Sequence, residues 1–250
     1  MTNKYMYFVA NWKMFGDAKS INSLNRVIKF SKLRKSNKFK LIYCPPFTLL
    51  NLFSDKLKKT KIDLGAQNCH ENNNFGAFTG SINSKMLKSI GANYVILGHS
   101  ENRASGESNI LINKKIKSSL NNNLKIIYCI GETLAQKKNK LTFAILRNQI
   151  VNGLKGIKKF KNIILAYEPI WSIGSGLVPN NIELKINVQY VKDIIKKKFK
   201  ILKPKVLYGG SVNPKNVSEL NKIDIIDGFL IGGASQDPKK FIDIVQKTFN

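Results

Sequence analysis

Eight short apolar runs, separated by amphipathic stretches, constrain this chain more than any other feature. They are Tyr5–Ala10, Leu41–Cys44, Ile62–Ala66, Tyr94–Leu97, Lys125–Ile130, Asn162–Tyr167, Val206–Tyr208 and Gly228–Ile231. Each is rich in β-branched or aromatic residues and apolar without alternation, which is how strands buried on both faces of a parallel sheet read. The stretches between them carry helical periodicity. In Asn181–Phe199 the residues Ile182, Ile186, Val188, Val191, Ile194 and Ile195 recur at helical spacing with lysines opposite, and Pro179 and Asn180 stand where a helix would start. Eight strands alternating with helices over 250 residues predict an α/β chain closed as a (β/α)8 barrel. A doubly wound open sheet would carry a glycine-rich nucleotide turn after its first strand; here that strand runs into Asn11-Trp12-Lys13. No linker or shift of composition divides the chain, so residues 1–250 read as a single domain. The irregular stretch Gln67–Gly80 exceeds the usual loop length and is expected to be functional or an interface.

Charge and cysteine usage narrow the function classes. Lys and Arg number 42 against 15 Asp and Glu, a net charge of +27. Such a balance can signal a nucleic-acid partner. The lysines, however, are spread along the whole chain, with no basic tail, aromatic RNA-binding motif or helix-turn-helix signature, so no specific nucleic-acid partner is expected. Long-range attraction of an anionic substrate is the milder reading. The three cysteines, Cys44, Cys69 and Cys129, are far apart and form no CxxC pair, which argues against a zinc site or disulfide framework. No run approaches the roughly 18 apolar residues of a membrane span, and the apolar stretch at the N-terminus is too short for a secretory signal. A cytoplasmic protein without a membrane partner is expected.

In a barrel of this kind the reactive groups stand at the C-terminal ends of the strands, and few reactive side chains end an apolar run here. Lys13 follows FVANW; an ordinary solvated lysine is its alternative reading. His99 follows YVILG and is one of only two histidines. Ser100 and Glu101 after it look like a helix start, whose free N–H groups and positive potential disfavour an imidazolium. Glu168 follows NIILAY, in a chain poor in acids; pairing with a nearby lysine is its alternative. Pro169 then holds Glu168 extended, and WSIGSG, with Gly174 and Gly176 around Ser175, suits a mobile lid over an anion. Gly209, Gly210 and Ser211 follow the seventh run, and Gly232 and Gly233 the eighth, where such barrels place phosphate. A base, a neutral electrophile, a cation and a phosphate cradle together fit proton abstraction beside a carbonyl in a small phosphorylated substrate.

The motifs NWKM, GAFTG, LGHSE, AYEPIWSIGSG, YGGSV and IGGAS stand in the order and at the approximate spacing of one family, and along its whole length the chain resembles the triosephosphate isomerases. The resemblance implies a TIM barrel that interconverts dihydroxyacetone phosphate and glyceraldehyde 3-phosphate, in glycolysis and gluconeogenesis, without cofactor or metal. Glu168 would be the base and His99 the neutral electrophile. Lys13 would bind substrate beside Asn11, with Glu101 orienting it and Ser100 next to His99. Gly174, Ser211, Gly232 and Gly233 would hold the phosphate. Pro169–Gly176 would close as a lid, steadied by Tyr208. It also implies a homodimer through Gln67–Gly80, with Gln67, Phe75 and Thr79 in that loop and Thr79 reaching the partner's site. The chain departs from the family at Asn102, where arginine is usual, in the short Arg103–Gly106 stretch, and in the lid at Ser172, Ser175 and Leu177. Two rival readings are another phosphosugar isomerase on the same barrel and a non-catalytic basic barrel that binds nucleic acid or another anionic partner.

Overall fold

A computed structural model describes residues 4–33 and 38–249. Its strands are β1 (Met6–Asn11), β2 (Phe39–Cys44), β3 (Asp63–Ala66), β4 (Tyr94–Leu97), β5 (Lys125–Ile130), β6 (Ile163–Tyr167), β7 (Val206–Tyr208) and β8 (Gly228–Ile231). They pair in chain order, all parallel, and β8 closes on β1 from Tyr7–Gly228 to Ala10–Ile231. The barrel read from the sequence is the barrel found. Boundaries shift where pairing, not hydrophobicity, decides. Asn11 belongs to β1, and the more polar Phe39-Lys40 to β2, because β1 and β2 are in register from Met6–Phe39 to Asn11–Cys44. Tyr5, Ile62 and Asn162 fall outside the strands.

Both faces of the strands are buried, which explains the absence of alternation. The inward faces supply Tyr7, Val9, Ile42, Cys44, Tyr94, Ile96, Ile127, Cys129, Ile164, Ala166, Leu207 and Leu230, a packed interior and not a pore. β3 turns Gly65 inward, where an added Cβ would lie 2.6 Å from the Cys44 sulfur. Outward residues such as Phe8, Tyr43, Val95 and Leu165 pack beneath the helices.

The helices are α1 (Leu24–Leu33), α2 (Leu50–Leu57), α3 (Ser84–Ser89), α4 (Ser100–Ala104), α5 (Asn109–Asn121), α6 (Leu134–Lys138), α7 (Thr142–Gly153), α8 (Asn181–Phe199), α9 (Val217–Leu220) and α10 (Pro238–Phe249). Asn180 caps α8, its side chain accepting the Glu183 N–H at 2.8 Å. One sequence expectation is corrected here. Ile182 and Ile186 are 75% and 51% exposed; the buried stripe is Leu184, Asn187, Val188, Val191, Ile194 and Ile195. The two isoleucines are one turn apart on a row beside that stripe, so spacing alone merged two faces of the helix. Each fully buried aliphatic side chain contributes about 1.5–3 kcal/mol, a gain the two exposed ones forgo. Among the described residues no helix is long and apolar enough to cross a membrane.

Candidate active site

The C-terminal ends of β1, β4, β6, β7 and β8 surround a cavity of about 230 Å³. Asn11, Lys13, His99, Glu168, Gly174, Ser211, Gly232 and Gly233, the residues singled out for chemistry and phosphate binding, all line it.

Lys13 enters the cavity on a backbone turned to φ 55°, a left-handed conformation that costs a non-glycine residue energy. Its neighbours hold it there. The Asn11 carboxamide oxygen accepts the Lys13 N–H at 3.1 Å, and the Gln67 side chain donates to the carbonyls of Lys13 and Cys44 at 2.8 and 2.9 Å. Gln236 donates to the Trp12 carbonyl at 3.1 Å. The Lys13 ammonium is 2.7 Å from Glu101 Oε1. Gln67, grouped with the long loop on sequence, thus faces the barrel mouth.

His99 caps α4. Its Nδ1 accepts the Glu101 backbone N–H at 3.3 Å, an arrangement that suits a ring carrying its proton on Nε2. Nε2 is 3.4 Å from Glu168 Oε1. Arg103 fixes this corner: its Nε donates to the Gly98 carbonyl at 2.7 Å and Nη2 to that of Cys129 at 3.2 Å. The short stretch after LGHSE is therefore anchored into the barrel rim.

Glu168 is only 2% exposed. Burial raises its pKa above the usual carboxylate range, against the opposing pull of His99, the Cys129 thiol, Lys13 and the Ser100 N–H. The Cys129 thiol, itself buried, is pushed well above its ordinary value by burial and by the Glu168 charge. A buried carboxylate with a raised pKa beside an imidazole and a cation is equipped to take a proton from carbon.

The segment expected to act as a lid starts directly after Glu168. Ile170–Ser172 form one turn of 3-10 helix, and the Trp171 indole N–H donates to Glu132 Oε1 at 3.0 Å. Glu132 is fully buried, its pKa raised first by burial. The Ser172 hydroxyl lies 2.5 Å from the Leu177 carbonyl and 3.0 Å from the Tyr208 hydroxyl, and it accepts the Ser211 N–H at 3.3 Å. Tyr208 thus touches Ser172, one of the positions at which the chain departs from the family. Gly174 and Gly176 take φ of 70° and 77°.

With this geometry in view, the comparisons with known proteins are direct. The family model for triosephosphate isomerase matches residues 6–248. The chain belongs to the triosephosphate isomerase family. Among curated members, the triosephosphate isomerase of Aquifex aeolicus is 40% identical over 246 residues, covering 94% of this chain and 96% of its own length. That of Alkaliphilus oremlandii is 38% identical over 241 residues, again covering 94% and 96%. The crystal structure of triosephosphate isomerase from Bartonella henselae superposes with a TM-score of 0.90 at 32% identity, covering 98% of this chain and all of that one.

Several residues of this triosephosphate isomerase site escaped sequence reasoning. Cys129 and Leu230 are apolar members of their strands by pattern; only the position of Cys129 one residue before the end of β5 could have placed it near the mouth. Gln67 was expected as a loop residue and not as a support of Lys13; its place directly after β3 was a usable signal. Glu132 sits two residues past β5 in a chain short of acids and could have been found by the reasoning that found Glu168.

Proposed function

We propose that this chain, folded as one barrel domain, interconverts dihydroxyacetone phosphate and D-glyceraldehyde 3-phosphate through an enediolate, with Glu168 as the base. Family membership supports the reaction, and the observation that carries the roles is the placement of Glu168 Oε1 3.4 Å from His99 Nε2 in the cavity that Lys13 enters. Glu168 takes a proton from the carbon bearing the hydroxyl, and His99 Nε2–H donates to the carbonyl oxygen. The Lys13 ammonium stabilises the negative charge that develops. The same carboxyl returns the proton to the neighbouring carbon, and the imidazole recovers its own from the other oxygen. Backbone N–H groups of Gly174, Ser211, Gly232 and Gly233 hold the phosphate at the start of the short helical turn Gly233–Ser235. Asn11 and Glu101 set the position of Lys13, and Ser100 that of Glu168.

The proposed unit is a cytoplasmic homodimer. What supports it is the apolar surface offered beside the mouth: Met14 is 99% exposed, Phe75 67%, and Phe78 and Phe15 nearly half. Such side chains on a very basic monomer mark a surface that is covered in the working protein. Thr79, exposed in the same loop, would reach the partner's cavity.

Assaying the purified protein with triose phosphates and with longer phosphosugars tests the reading. Turnover of the triose pair is expected, and turnover of the longer sugars alone would overturn it. A cavity of about 230 Å³ favours the smaller substrate.

A further inference from the structure

The charge of +27 is unevenly distributed over the barrel. The connections at the mouth, from each strand to its next long helix, are balanced. They hold two lysines and one aspartate after β1, one glutamate after β3, and one arginine and two glutamates after β4. Three lysines and one glutamate follow β5, one glutamate β6, one lysine β7 and one aspartate β8. The opposite end is different. Among the described residues, the segments entering the strands hold one lysine before β1, one before β2, three before β3, four before β6, three before β7 and one before β8. Two aspartates, both before β8, are the only acids. Those two are engaged: Asp227 pairs with Lys4 and Lys192, and Asp224 with Lys185.

The excess is densest where the connections into β6 and β7 meet. These strands are neighbours, and the Phe160 and Phe199 rings, 5.1 Å apart, join the two segments. From Lys155 to Lys161 and from Lys196 to Lys205 the chain has four and six lysines and no carboxylate. Lys158, Lys159, Lys200 and Lys203 are exposed. Between the last two, Leu202 stands 85% exposed.

We propose, against the expectation from sequence of no membrane partner, that this end of the barrel is a docking surface for a bilayer rich in anionic headgroups. Lysines spread over loops suit a diffuse layer of phosphate and carboxylate charge, which attracts each of them without fixed geometry. The protruding Leu202 supplies the second, apolar anchor that peripheral attachment requires. Nucleic acid is the less suitable polyanion: these two segments contain no arginine for bidentate contacts, and they offer Leu202 where a stacking aromatic would be needed. Docked this way, the mouth faces away from the membrane and stays open to substrate. The inference does not depend on the isomerase reading.

Sedimentation of the full-length protein with phosphatidylcholine vesicles, with and without phosphatidylserine, tests it. The expected result is binding only to the phosphatidylserine vesicles, weakening as salt is raised. Replacing Lys158, Lys159, Lys200 and Lys203 by Gln should weaken binding at least about tenfold. Replacing Lys19, Lys138, Lys140 and Lys215 at the mouth by Gln removes the same charge and should leave most binding intact. Leu202→Ser should weaken binding several-fold without altering its salt dependence. Failure to bind the anionic vesicles, equal loss in the two lysine variants, or an unaffected Leu202→Ser protein would each overturn the proposal. So would tighter binding to duplex RNA that depends on the same lysines.

Discussion

Gly209 limits how far the Glu168 carboxylate can move, and a methyl group there measures how much catalysis depends on that limit. A Cβ built on Gly209 lies 2.7 Å from Glu168 Cγ and 3.2 Å from Oε1, whereas carbon atoms settle at about 3.5–4.0 Å. Gly209 is outside the left-handed region, so Gly209→Ala introduces no backbone strain and acts through this contact alone. The side chain of Glu168 must retreat by about 1 Å. A misplacement of that size costs about 10²-fold in rate, equivalent to roughly 2.7 kcal/mol. The loss should appear in kcat, measured for both directions, while KM holds, because Gly174, Gly232 and Gly233 are not displaced. Combining Gly209→Ala with Glu168→Asp should be strongly non-additive, since both draw back the same carboxylate. A folded Gly209→Ala protein with unchanged kcat, or with its defect wholly in KM, would refute the reasoning.

Other expectations follow from the same contacts. Ser172→Ala removes the hydroxyl that links the lid to Leu177, Tyr208 and Ser211; a net loss of about 1 kcal/mol should speed amide exchange over residues 173–177 and change kcat several-fold. Gln67→Ala leaves the Lys13 carbonyl without its donor and the Cys44 carbonyl with the Trp12 N–H alone, and kcat/KM should fall by about tenfold, in keeping with 1–3 kcal/mol for an orphaned buried group. For Glu168 the sign of the pH effect is fixed by burial. A raised pKa means that the folded protein holds this proton more tightly than the unfolded chain, so ionisation above that pKa lowers stability. Glu168→Gln should therefore raise Tm at neutral pH while abolishing most turnover, and wild-type kcat/KM should fall on acidification at a pH above that expected of an ordinary carboxylate.

The fold was legible because barrel strands are buried on both sides, so eight unalternating runs could hardly be read otherwise. The ends of the strands were not, since Asn11 and Phe39-Lys40 are strand residues only through the register that their neighbours impose. Ile182 and Ile186 show the limit of periodicity: residues one turn apart share a row, but which row meets the barrel depends on the packing of α8 against its neighbours. Glu168, His99 and Lys13 stood out because acids and histidines are scarce and all three end strands. The groups that position them were hidden for a chemical reason. Cys129 serves equally as barrel filling, and the Gln67 contacts run to backbone carbonyls, which no sequence pattern records. Ser172 illustrates the reverse case, where a departure from family habit marks a real contact between the lid and Tyr208.

The central claim is that the carboxylate beside His99 moves the proton. A coupled assay of glyceraldehyde 3-phosphate formed from dihydroxyacetone phosphate, run on the wild-type and Glu168→Ala proteins, tests it most directly. The account predicts rapid conversion by the wild type and a loss in kcat of at least about 10²–10⁴ in the variant, with glycerol 3-phosphate, which has no carbonyl to enolise, still bound by both. A wild-type protein without this activity, or a variant that turns over at nearly the wild-type rate, would contradict it.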